Sequence, residues 1–420
     1  MKVARIILFT LLAALVAVGV STISYAFHSG GVAECAGCHS MHSPAAGGNS
    51  LLVGTDQSST CLSCHQHAGD TGPSSYHVST ADADMPAGVA PLQRTPGGDF
   101  GWLKKAYSFL LRGEAILDDG PNMGHDITAA DFGYTGRSNN LTAPGGTFPT
   151  PSLGCTSCHD PHGRTRRLVG DTLATTGAPI KASGSYNGTG NEPDANGAVG
   201  VYRLLAGPGY IAQGAATFTG APAAKVPSTY NRTESATSTR VAYGANTSPG
   251  HQTWGDWCAT CHPSMHSSGN YVHPVDQQLG TTVANNYNAY VKSGDMTGGA
   301  GATAFTSLVP FASAATYGAL ATATTSTAGP ASGDRVMCLS CHRAHASGFI
   351  DMLRWEQEYE FMTKVIGGAT SYGGTDVAAT DNALSRGRTN AEKVASYYDR
   401  PATQFATYQR VLCNKCHAKD

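Results

Sequence analysis

Six times the chain sets a histidine directly after a Cys-x-x-Cys pair. The motifs are Cys35-Cys38-His39, Cys61-Cys64-His65, Cys155-Cys158-His159, Cys258-Cys261-His262, Cys338-Cys341-His342 and Cys413-Cys416-His417. They use all twelve cysteines of the 420-residue chain. Two thiols separated by two residues match the two vinyl groups of one haem, and the next residue then falls beneath the iron as its proximal ligand. A disulfide framework, thioredoxin-like pairs or zinc ribbons would each explain paired cysteines but not the histidine. Histidine fills only 16 of 420 positions, so its sixfold recurrence in one place is not coincidence. The motifs predict six covalent haem c groups and their iron.

That prediction also explains the composition. Glycine occurs 51 times, charged residues make up 13%, and sustained apolar periodicity is scarce. Apolar side chains alone would struggle to offset the ordering entropy of such a chain. Haem plates tied by covalent and metal bonds can supply the core instead. The expected fold is a mostly irregular, loop-rich multihaem cytochrome c with a few short helices and little β, in which six covalent haems form the core. The formal net charge of −2 and the lack of a basic patch with interleaved aromatics argue against nucleic-acid binding. Haem propionates would make the holoprotein more acidic still.

Lys2 and Arg5 precede an apolar run from Ile6 to Val20, and Ser24-Tyr25-Ala26 gives a small-residue exit before Phe27. Residues 1–26 therefore read as a secretory signal peptide, and 27–420 as one hexahaem cytochrome c domain without a transmembrane segment. Helices are expected at 101–111, 283–292, 349–366 and 402–412. The Gly/Pro/Ser/Thr-rich stretches 135–155, 176–200 and 294–334 read as loops over haem faces.

Ten histidines remain after the six proximal ones, enough for a distal ligand on every iron. His42, His162 and His345 each stand three residues past the proximal histidine of motifs one, three and five. A tether so short cannot bring a side chain round the porphyrin to the far face of its own iron, so these three should ligate other haems. His125 and His273 stand alone between motifs two and three and motifs four and five. His28, before motif one, continues that rhythm if motif six of one chain precedes motif one of another. The predicted distal set is His28, His42, His125, His162, His273 and His345, with His77 in reserve and His67, His251 and His266 spare. Met41 and Met265 lie near motifs, but histidine is in surplus. His162 and His345 would reach back to earlier haems, and His42, which has no earlier haem in its own chain, would look outside it.

Bis-histidine iron has no open position, so an electron-transfer protein without catalytic residues is expected. A multihaem oxidoreductase would need one five-coordinate iron, often marked by an altered motif, and none of the six is altered. A monomeric periplasmic electron shuttle remains the main alternative.

The stretches FHSGGVAECAGCHSMH, CLSCHQHAGDTGPSSYH, CLSCHRAHASGF and LCNKCHAKD resemble the OmcS-type hexahaem outer-surface cytochromes of metal-reducing bacteria. The resemblance implies end-to-end homopolymers with continuously stacked haems. They would carry electrons from outer-membrane or periplasmic cytochromes to extracellular acceptors such as Fe(III) oxides or partner cells. It also implies that His42 ligates the haem on Cys338, Cys341 and His342 of a neighbouring subunit. Export through the periplasm to the outer surface follows. The Ala/Thr-rich part of 294–334 and His251 depart from the family pattern.

Overall fold

The computed structural model describes residues 35–42, 51–67, 76–137, 139–227, 241–267, 272–299, 309–313, 316–323, 328–377 and 382–417. Residues 1–26, with the expected signal peptide, and His28 lie outside them.

Each Cys-x-x-Cys-His motif is one helical turn. His39 donates its backbone N–H to Cys35, His159 to Cys155, His262 to Cys258, His342 to Cys338 and His417 to Cys413 at 2.8–3.2 Å, while motif two lies within the helix Gln57–His65. An i→i+4 bond of this kind sets the histidine one turn above the first cysteine, so thiols and imidazole face one space. Local capping fixes two of these turns. Asp56 accepts from the Ser59 N–H at 2.7 Å, and Thr253 from the Asp256 N–H at 3.1 Å ahead of the helix Trp254–Ala259.

The β-structure is short and dispersed. The largest sheet orders Thr172–Ala174, Arg166–Leu168, Ala198–Gly200 and Ile180–Ala182, with the last pair parallel and the others antiparallel. Separate small apolar clusters flank one continuous cavity of about 2600 Å³ that all twelve motif cysteines and six motif histidines line. An ordinary ligand pocket is about 300–1,000 Å³, so this space is built for more than one small molecule. The loop-rich fold expected from composition is the one observed.

Where side chains do form a core, charge ties it together. Asp118 is buried, accepting from Arg386 Nε at 2.9 Å and Nη2 at 2.5 Å, and from Arg388 Nη1 at 2.8 Å. Burial alone would raise the Asp118 carboxyl, but Arg386 and Arg388 outweigh it and hold it below the usual range. A depressed carboxylate contributes stability above its unfolded-state pKa and loses it as pH falls through the folded value. The pair therefore weakens only in acid. Asp118→Asn should cost about 3–5 kcal/mol, because it leaves the buried Arg388 guanidinium without its carboxylate, while Arg386 keeps Glu358 at 2.6 Å. Denaturant midpoints of the haem-loaded chain at neutral pH check this, and a change near zero would contradict it.

Three of the four expected helices do not form. Residues 101–111 split into the 3₁₀ turn Phe100–Lys104 and the strand Ala106–Leu111, which pairs antiparallel with Glu114–Asp119. Tyr107 and Phe109 point inward at period two, and Arg112 and Gly113 both take positive φ at the hairpin turn. In 349–366 a helix stops after Ile350–Met352, because Asp351 and Met352 adopt φ of 56° and 58°. In 402–412 only Ala402–Gln404 is helical; beyond it the buried Gln409 side chain accepts from Ala406 N and donates to Tyr290 Oη. The expectation at 283–292 fares better, as Gly280–Ala289 is a helix. Within 294–334, Val309 and Phe311 reach the cavity, but Ala312–Ser313 joins the strand Ala242–Gly244. The helix Tyr317–Ala323 buries Tyr317 and Leu320 against Ala223 and Ala242. Part of this segment is thus packed structure rather than a covering loop.

Candidate functional site

Four pairs of histidine rings face each other across the cavity at nearly one spacing. The centres are 6.4 Å apart for His39 and His162, 6.4 Å for His159 and His345, 6.1 Å for His125 and His262, and 6.3 Å for His273 and His417. An imidazole nitrogen binds a first-row metal at about 2.0 Å and its ring centre lies roughly 1.2 Å behind, so two rings opposed across one iron stand about 6.3 Å apart. Each pair joins one motif histidine to one of the expected distal ones. The separation suits a metal atom between the rings and is too wide for direct stacking.

The ring nitrogens are presented accordingly. His65 Nδ1 donates to the Tyr76 carbonyl at 2.8 Å, His159 Nδ1 to Arg203 at 2.8 Å, His262 Nδ1 to Pro144 at 2.8 Å and His342 Nδ1 to Asp351 at 2.7 Å. Among the distal candidates, His125 Nδ1 donates to Ala344 at 2.7 Å. A proton held on Nδ1 leaves Nε2 with the lone pair a metal needs. Burial lowers the His125 imidazole to about 4, so it stays neutral, the ligating form. These carbonyl partners were invisible in the sequence, since any residue type can supply one.

The motifs also form a row. The Cys61 and Cys155 thiols lie next to each other, and so do those of Cys258 and Cys338. Cys38 neighbours Cys64, Cys158 neighbours Cys261, and Cys341 neighbours Cys413 and Cys416. Motif one therefore meets two, two meets three, and so on to six, with closer thiol contacts at every second junction.

The remaining histidines fall differently. Among the described residues no histidine ring faces His342, and none faces His42, which is exposed beside a 77% exposed Met41. His77 is buried and lines the cavity, with its ring stacked on His67 at 4.9 Å, too close for a metal to sit between them. His251 sits away from the cavity beside Asp171, its Nε2 3.1 Å from that residue's carbonyl oxygen. The His266 side chain is outside the described residues. No helix among the described residues is long and apolar enough to cross a membrane.

No protein-family model matches the chain. A relative settles its kinship: the chain is 51% identical over 423 aligned positions to the c-type cytochrome OmcS of Geobacter sulfurreducens, covering 94% of this chain and 95% of that one. The chain belongs to the OmcS family. Two cryo-electron microscopy structures of OmcS, described as nanowires and as a filament, superpose on it with TM-scores of 0.82 each. They are 49% and 48% identical to it, and each match covers 94% of this chain and all of the other. OmcS is a c-type cytochrome, so haem c is the cofactor of this family and the loop-rich multihaem fold is shared. The filament state of the OmcS relatives argues against the monomeric shuttle.

Proposed function

We propose that this chain is exported, binds six haems and polymerises into an extracellular filament that conducts electrons and turns over no substrate. The observation that carries the proposal is the set of four opposed ring pairs at iron-bridging distance along a row of motifs. Bound haem supplies one-electron Fe(III)/Fe(II) chemistry. The cysteine pairs fix each plate, and the motif histidines His39, His65, His159, His262, His342 and His417 take the proximal positions. Ring pairs closed on both faces leave no position for substrate, which disfavours an oxidoreductase.

The pairings suggest a rule. His162, after motif three, faces motif one, and His345, after motif five, faces motif three; each serves the motif two places earlier. His42, after motif one, then serves motif five of a preceding copy; among the described residues no histidine ring faces His342 of that motif. The lone histidines run the other way: His125 faces motif four and His273 faces motif six, each the second motif after it. By that rule His28 serves motif two of its own chain, with His77 in reserve. Residues 1–26 act as the signal peptide and 27–420 as one domain. The polymer takes electrons from outer-membrane or periplasmic cytochromes and delivers them to extracellular metal oxides or partner cells.

Single distal variants test the ligation. His162→Ala, His125→Ala and His273→Ala should each retain every haem yet convert one in six to a high-spin form that binds carbon monoxide. A variant that stays fully low-spin and binds none would remove that histidine from the ligand set.

A further inference from the structure

The four ring pairs differ in one respect that their spacing does not reveal. The planes are 5° apart for His39 and His162, 30° for His125 and His262, 53° for His159 and His345, and 68° for His273 and His417. Both axial imidazoles donate π-electron density to the iron. Parallel rings raise one dπ orbital above its partner, whereas crossed rings keep the two close in energy. Plane angle thus alters the magnetic anisotropy and potential of a low-spin iron without any change of ligand. What fixes the angle at each site is therefore a functional question.

At His159 one ring is set by its hydrogen bond to the Arg203 carbonyl. His345 has no such guide: its Nδ1 is buried and makes no hydrogen bond. Packing takes over. The Phe100 ring stacks on the His345 imidazole with centres 4.7 Å apart and planes 23° from parallel. The Gly97 backbone also abuts the imidazole, where a Cβ would come within 2.9 Å of His345 Nδ1 and 3.0 Å of Cε1.

The wall behind these contacts is rigid. Asp99 is fully buried, and its carboxylate accepts from Thr80 N at 3.0 Å, Thr80 Oγ1 at 2.5 Å, Gln93 N at 3.0 Å and Gly101 N at 2.7 Å. Those bonds pin the backbone on both sides of Phe100. His345 N in turn donates to the Gly97 carbonyl at 2.7 Å, and His125 N donates to the His345 carbonyl at 2.8 Å. Gly98 has φ of +97°, and a Cβ there would lie 1.8 Å from the Ala346 carbonyl oxygen. The two segments therefore lie flush.

We infer that Phe100 and Gly97, held by Asp99, are positioning residues that clamp the His345 imidazole and set its plane at a wide angle to His159. The iron held between those rings then differs electronically from the near-parallel site of His39 and His162. The inference rests on the proposed role of His345 as a ligand to the haem on Cys155 and Cys158.

The test is low-temperature electron paramagnetic resonance with a redox titration on the ferric, haem-loaded full chain. The variants are Phe100→Leu, Phe100→Tyr, Gly97→Ala and His345→Ala. Phe100→Leu frees the ring and Gly97→Ala pushes on it, so each should keep six low-spin haems while one-sixth of the signal changes its g-anisotropy. Phe100→Tyr keeps the stacking ring and should keep the parent spectrum. His345→Ala should turn one haem high-spin. If that high-spin haem appears but Phe100→Leu and Gly97→Ala both match the parent, the clamp is wrong and the ligand assignment stands. If His345→Ala leaves all six low-spin, the ligand assignment itself falls.

Discussion

His42→Ala is expected to yield a chain loaded with six haems, one of them high-spin, that forms no filaments. His42 is exposed next to an exposed Met41, and no ring in the described chain faces it. His342 is the motif histidine proposed to complement it: its Nδ1 is bound to the Asp351 carbonyl, which orients Nε2, yet among the described residues no histidine ring stands opposite. A contact joining these two residues would be heterologous, one surface of a copy meeting a different surface of the next, and such contacts propagate into open polymers. Losing one metal–ligand bond per copy removes a link at every junction. Carbon monoxide should bind one haem in six. Added imidazole should restore the low-spin state without restoring filaments, because it fills the coordination position but connects nothing. Filaments of normal length from the variant would contradict this account.

The second large effect is expected from Cys258→Ser with Cys261→Ser. The haem count should fall from six to five, and end-to-end conduction should be lost. Motif four sits in the middle of the row, with Cys258 against Cys338 on one side and near Cys158 on the other. His125 would lose the iron proposed to lie between it and His262, and the cavity wall beside Trp257, which packs against two of the apolar clusters, would lose its filling. Protease digestion should become faster around residues 241–267, which carry motif four. Haem per chain, current along single filaments and digestion rate read the three consequences. Unchanged current with five haems would mean that electrons do not pass through the row.

The motif residues were legible because their geometry is local: one helical turn and a two-residue spacer decide where thiols and imidazole point. The extra histidines were legible as a series by their offset of three, but which motif each faces depends on contacts that span more than a hundred residues. His162 and His39 come together only because motif three folds back beside motif one. The hairpin at 106–119 was misread because residues 101–111 fit a helical stripe as well as an alternating one, and the Arg112-Gly113 turn was the discriminating signal. The helix expected at 349–366 would have left its charged side chains in solvent. Arg354 and Glu356 are instead buried, Glu356 beside the Arg386 ion pair. Phe100 had no signal at all, since a stacking aromatic is spelled like any core residue.

Cryo-electron microscopy of filaments sheared from cells producing this chain reports polymer state and ligation together. Continuous density is expected from His42 of one copy to the iron on Cys338, Cys341 and His342 of the next, with six haems per copy in one row. Single copies, or an iron at His342 ligated from within its own chain, would contradict it.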